Sequence, residues 1–206
     1  LQSERADWKG ARATLGAKLK TGGLTKDVFR RRDAVLALQE AKGIMDETAT
    51  VEAREAAIEA NRKSPDLIPA AVMAARSLIA KGDRKGATRV VKKAWEGIPH
   101  PDLSAVFAEI EPDETPDARI KRFKPLIARH PEHDETRLLQ SEMLIAAEDF
   151  PAARRALGDM VDRHPTQRAL ALMAAIERGE GSDEAVVRGW LSKALVAPRG
   201  AQWCCD

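Results

Sequence analysis

Asp83-Arg84-Lys85-Gly86-Ala87-Thr88-Arg89-Val90-Val91-Lys92-Lys93-Ala94-Trp95-Glu96-Gly97-Ile98-Pro99 is the stretch whose reading decides the fold. Asp83 has the chemistry of a helix N-cap, because its carboxylate accepts an orphan backbone N–H and meets the positive end of the helix dipole. Ala87, one turn later, is small enough to let a second helix approach closely. Ala87, Val91 and Ala94 then lie on one face at helical spacing. Pro99 closes the helix, since the residue before a proline avoids the helical region.

The same grammar returns elsewhere. Asp149-Phe150-Pro151-Ala152-Ala153 opens a second copy, with an apolar stripe Ala153, Leu157, Met160 and a closing Pro165. Asp7-Trp8-Lys9-Gly10-Ala11 opens a third. Small residues, Ala75 and Ser141, stand 12 positions before Ala87 and Ala153, where the first helix of a hairpin would cross the second. Pro65, Pro99, Pro131, Pro165 and Pro198 are separated by 34, 32, 34 and 33 residues. A fixed period near 34 is the signature of a helical-hairpin array, and the tetratricopeptide repeat has that length.

The pattern predicts an all-α fold, a tetratricopeptide-like helical-hairpin solenoid forming a right-handed superhelix of about five helix pairs. A lone helix is expected at about 5–20, then a Gly22-Gly23 break. The pairs follow at about 25–43 with 47–62, 66–81 with 83–97, 102–110 with 116–129, 133–147 with 150–163, and 166–178 with 183–197. Pro125 falls inside one of these helices and should kink it or delay its start. The whole of residues 1–206 reads as a single repeat domain, with residues 199–206 as a tail. The lone leading helix looks like the second half of a repeat, and Leu1 stands where a Met would start a gene product. Both features suggest a piece of a longer protein.

Composition agrees. The chain has 206 residues, 36 of them Ala and 18 Leu, against 30 Val, Ile and Thr combined, which is too few for a mainly stranded protein. With 34 Lys+Arg against 32 Asp+Glu the net charge is +2, so no concentrated basic face marks a dedicated nucleic-acid binder. No stretch approaches the roughly 18 apolar residues that a bilayer crossing needs, and no signal peptide opens the chain. The two cysteines, Cys204 and Cys205, are adjacent and give the fold no disulfide framework.

No nucleophile–base pairing, phosphate loop or zinc-protease motif is present, so the sequence reads as non-enzymatic. His100, His130 and His164 each neighbour a repeat-ending proline, with His133 nearby. They could ligate a metal or haem iron, but helix C-termini, where imidazole suits the dipole, are the better reading. His130 and His133 are the one pair close enough to share a metal, and two ligands are too few. Trp8, Trp95 and Trp190 read as packing residues; Trp203 lies beyond the last helix. The runs Arg30-Arg31-Arg32 and Lys92-Lys93 have acidic neighbours and read as solvated faces. In the proline-fixed frame, Val72, Arg76, Leu138, Glu142 and Met173 point into the concave face, as partner-binding residues or as inter-repeat core.

The tail carries a resemblance. Arg188-Gly189-Trp190-Leu191-Ser192-Lys193-Ala194-Leu195, Ala197-Pro198-Arg199-Gly200 and Trp203-Cys204-Cys205-Asp206 are similar to the end of the HemY family of proteobacteria. So are Pro165-Thr166-Gln167-Arg168, Leu172-Met173-Ala174, Ala146 with Glu148-Asp149-Phe150, and Ala94-Trp95 followed by Pro99-His100-Pro101-Asp102-Leu103. The resemblance implies a parent protein held to the inner membrane by an N-terminal anchor, with this repeat region facing the cytoplasm. It implies a non-catalytic scaffold for late haem and porphyrin synthesis, with haem-pathway enzymes as partners and with haem or porphyrin as its only implied cofactor. In that family the tail is similar to one knuckle of a zinc ribbon. Its first cysteine would be Cys205, with Cys204 an addition, so any metal site here is partial. Two other readings stand beside the scaffold: a tetrapyrrole carrier using Trp203 or a groove histidine, and a general envelope-assembly scaffold.

Overall fold

The structure, a computed structural model, describes residues 7–42 and 51–200. Every regular element among them is an α-helix. In chain order these are α1 (Trp8–Lys20), α2 (Lys26–Lys42), α3 (Val51–Lys63), α4 (Ile68–Ala80), α5 (Arg84–Gly97), α6 (Pro101–Glu109), α7 (Pro116–Ile127), α8 (Asp134–Ala146), α9 (Phe150–Leu157), α10 (Met160–Arg163), α11 (Gln167–Gly179) and α12 (Glu184–Val196). The chain divides into two compact units, Leu1–Ile98 with Asp102–Ile110, and Pro99–Pro101 with Glu111–Asp206. In the first, α1 packs on α2, α2 on α3, α3 on α4 and α4 on α5. In the second, α7 packs on α8, α8 on α9, and α11 on α8, α9 and α12.

Four of the expected pairs, α2 with α3, α4 with α5, α8 with α9 and α11 with α12, pack as hairpins, and their local signals are obeyed. Asp7, Asp83 and Asp149 all cap helices, accepting from the backbone N–H of Gly10, Gly86 and Ala152. Ala75, Ala87 and Ala153 are fully buried where the paired helices cross. At the second crossing Ser141 is buried as well, and its hydroxyl donates to the Ala153 carbonyl at 3.2 Å. A small residue there both admits the neighbouring helix and satisfies its own polar atom. Trp95 is fully buried, while Trp190 packs against the Leu138–Met173–Ile176 core with the Lys193 ammonium 4.3 Å from its ring centre.

One element departs from expectation, and at another one of two expected alternatives is not realised. The helix foreseen over 150–163 is broken into α9 and α10 at Gly158, which has φ 56° and ψ −129°. The Arg137 guanidinium, reaching across from α8, fills the break. It donates to the Leu157 carbonyl at 3.0 Å and to the Ala156 carbonyl at 3.3 Å, capping the end of α9. Pro125 does not delay α7, which starts at Pro116 and runs through it to Ile127. The proline has no N–H to give the Lys121 carbonyl, and the helix ends two residues beyond it.

Candidate functional site

The five residues expected on the concave face divide by burial. Val72 on α4, Leu138 on α8 and Met173 on α11 keep 8%, 6% and 5% of their surface and are buried in the core, Leu138 at the edge of the groove described below. Arg76 and Glu142 stay at the surface and are ion-paired along it. Arg76 grips Glu109 of α6 with two nitrogens, Nε to Oε2 at 3.0 Å and Nη2 to Oε1 at 2.7 Å. Donating to the Glu109 carboxylate raises the arginine pKa against the opposing effect of burial. Glu142 takes a matching fork from Arg168 of α11, at 2.6 and 2.8 Å, and the third nitrogen of that guanidinium reaches the buried Glu135 at 2.6 Å. Burial works against the Arg168 charge, but Glu142 and Glu135 together raise its pKa.

This triad forms one wall of a groove of about 400 Å³ between the first helices α8 and α11. Glu135, Leu138, Gln167, Arg168, Ala171 and Arg199 line it. The far side is fixed by the chain after α12, which returns to the start of α11 through a Gln167 N–H to Pro198 carbonyl bond of 2.9 Å. Ala171 is exposed at the groove floor, and Arg199 has no ion pair among the described residues. The lining mixes apolar residues with three charged side chains, Glu135, Arg168 and Arg199, and holds no serine, cysteine or histidine.

The histidines are employed structurally. His133 begins α8 instead of ending a helix, its Nδ1 accepting from the Glu135 N–H at 3.1 Å. Burial lowers its pKa, with Asp134 opposing that effect and His130 adding to it, which favours the neutral ring whose Nδ1 can accept. His164 caps α10 and bonds Asp134; His100 is buried just ahead of α6. The His130 and His133 rings meet edge to face at 6.5 Å. Among the described residues no group of three or more His, Cys, Asp or Glu could hold a metal ion. Cys204, Cys205 and Trp203 lie outside the described residues. Of the basic runs, Arg30 lies 3.8 Å from its neighbour Asp27 and Lys93 3.3 Å from its neighbour Glu96, while Arg31 pairs with the distant Asp66 at 2.7 Å.

Sequence reading missed Gln167, Arg168, Ala171 and Arg199 as groove residues. A usable signal existed: Glu135 and Arg168 are opposite charges 33 residues apart, one repeat, as are Arg76 and Glu109. Such a pair places both side chains on corresponding turns of neighbouring first helices.

These features define the class as an all-α protein of tetratricopeptide-like helical hairpins. No family model matches the chain, and no curated protein matches it. Among solved structures it is similar to a tetratricopeptide repeat protein from Parabacteroides merdae ATCC 43184, at 13% identity over 94% of this chain and 80% of that one, with a TM-score of 0.41. No helix among the described residues is long and apolar enough to cross a membrane.

Proposed function

We propose that the chain is a non-catalytic protein-binding scaffold whose groove between α8 and α11 receives a segment of a partner protein. The observation that carries this reading is the groove itself, with an apolar floor, a guanidinium clamped by two carboxylates on one wall and a free Arg199 on the other. Repeat proteins bind in this way, through an open groove lined by one helix of each pair. The HemY resemblance supplies the partner class: proteins of late haem and porphyrin synthesis, met at the cytoplasmic face of an inner membrane that anchors the parent protein.

None of the three clefts described, including the two on the opposite edge of α8, is lined by a histidine or cysteine that could ligate iron. The test is co-purification of the full-length, membrane-anchored protein, with partners identified by mass spectrometry. Wild type should retain tetrapyrrole enzymes, and Ala171→Trp, which fills the groove from an exposed position, should lose them without a change in melting temperature. Recovery of only lipid or secretion proteins would replace the haem-pathway assignment by a general envelope scaffold. A Soret shift on adding haemin to the repeat region would favour the carrier.

A further inference from the structure

On the edge of α8 opposite the α11 groove, the second helix α7 and α8 leave a separate cleft of about 470 Å³. Its floor is apolar: Ile120 and Ile127 from α7, Met143 and Leu144 from α8. Three of these four are only half-buried, Met143 alone being inside the core. Ile120, Lys124 and Ile127 follow one another at i, i+4 and i+7, so they form one stripe along α7. Across the cleft Gln140, Met143 and Leu144 form the facing stripe of α8. Two parallel stripes with an apolar trough between them are the shape into which a third helix lays its apolar face.

The rim is cationic and uncommitted. Lys121 and Lys124 line the cleft, both are exposed, and neither has an ion-pair partner among the described residues. No carboxylate lines the cleft. Gln140 and Leu144 also border a more polar cleft of about 790 Å³ between α8 and α9, where Arg155 is again exposed and without an ion pair. Arg137, Asp159 and Arg163 in that second cleft are paired among themselves, and Glu132 is its one other acid. The free charge around Gln140 and Leu144 is therefore mostly positive.

We propose that the α7–α8 cleft is a second docking surface, for an amphipathic helix of a partner protein whose apolar face is bordered by glutamate or aspartate. Apolar residues of that helix seat on Ile120, Ile127, Met143 and Leu144, and its carboxylates meet Lys121 and Lys124. Nucleic acid is the poorer occupant, since the floor offers no aromatic ring for base stacking and too few cations for a phosphate track. The inference rests on the reading of the chain as a protein-binding scaffold, but it concerns a face that the α11 groove does not share.

The probe is a 16-residue amphipathic peptide with leucines at helical spacing bordered by glutamates, titrated into the isotope-labelled 206-residue chain and followed by amide and methyl shifts. Shifts are expected at Ile120, Lys124, Gln140, Met143 and Leu144. The exposed double reversal Lys121→Glu with Lys124→Glu should weaken binding about tenfold or more. A peptide with lysines in place of the glutamates should bind that variant better than it binds wild type. Three outcomes overturn the proposal: no binding at millimolar peptide, equal binding to the reversed variant, or shifts confined to Gln167, Arg168 and Ala171. The last would move the acidic helix to the α11 groove and leave the scaffold reading standing. Loss of partner in the Ala171→Trp experiment bears on that reading alone.

Discussion

Glu148 is the one described non-glycine residue with a positive φ, 58°, and it sits in the turn from α8 to α9. The equivalent turns after α1, α4 and α11 put Gly22, Gly82 and Gly181 in that conformation. Each turn closes alike, for instance Asp83 N–H to the Leu78 carbonyl and Asp149 N–H to the Leu144 carbonyl, both at 2.9 Å. Glycine suits this position because it has no Cβ to crowd the left-handed backbone. Glu148→Gly should therefore raise unfolding free energy by about 0.5–1 kcal/mol in urea denaturation. Gly158 shows the reverse case. A Cβ there would fall 2.1 Å from Arg137 Nη2, and its φ and ψ suit glycine alone. Gly158→Ala should lower stability by roughly 2 kcal/mol, and a double-mutant cycle with Arg137→Met should show coupling, because the methyl evicts the guanidinium from the α9 carbonyls. The capping aspartates were legible in the sequence, since capping is a local bond over three residues. The Gly158 break was not, because it depends on an arginine 21 positions upstream whose role only the packed hairpin creates.

At the scale of elements, the first three helices meet at one carboxylate. Asp33 of α2 is nearly buried, takes a 2.8 Å hydrogen bond from Arg12 of α1 and is paired with Lys63 of α3. Burial alone would raise its pKa, but the hydrogen bonds and charges of Arg12 and Lys63 together hold it below the ordinary value of 3.8. As acid is added the unfolded chain takes up this proton first, so the Asp33 contribution is whole above about pH 4 and disappears as pH falls through the depressed value. Asp33→Asn should then be less stable than wild type at pH 7, with the gap narrowing at pH 3, as urea melts at the two pH values would show. Helix ends were readable to within a few residues from prolines and caps. Which helices share an ion pair was not, because an exposed and a buried carboxylate look alike in sequence.

At the scale of the whole molecule, a regular ion-pair pattern accompanies the repeat. Arg31–Asp66, Arg76–Glu109 and Glu135–Arg168 span 35, 33 and 33 residues, each about one period. Arg168→Met would strand the buried Glu135 charge and should cost roughly 3 kcal/mol. Adding Glu135→Gln should recover much of that loss, a result thermal or urea unfolding can read. The proline ruler made the period legible, and the frame it fixed brought Leu138 and Glu142 to the α8–α11 side. It could not separate a side chain that lines a groove from one that the neighbouring helix has covered, as Met173 shows. These spans also bear on how the chain folds. Each pair closes a loop of nearly the same length, so their closure entropies differ by less than about 0.1 kcal/mol. Loop length thus gives no hairpin a head start. The order of assembly is left to apolar content, which points to α4, with eight buried residues in thirteen, as the seed from which its neighbours add on.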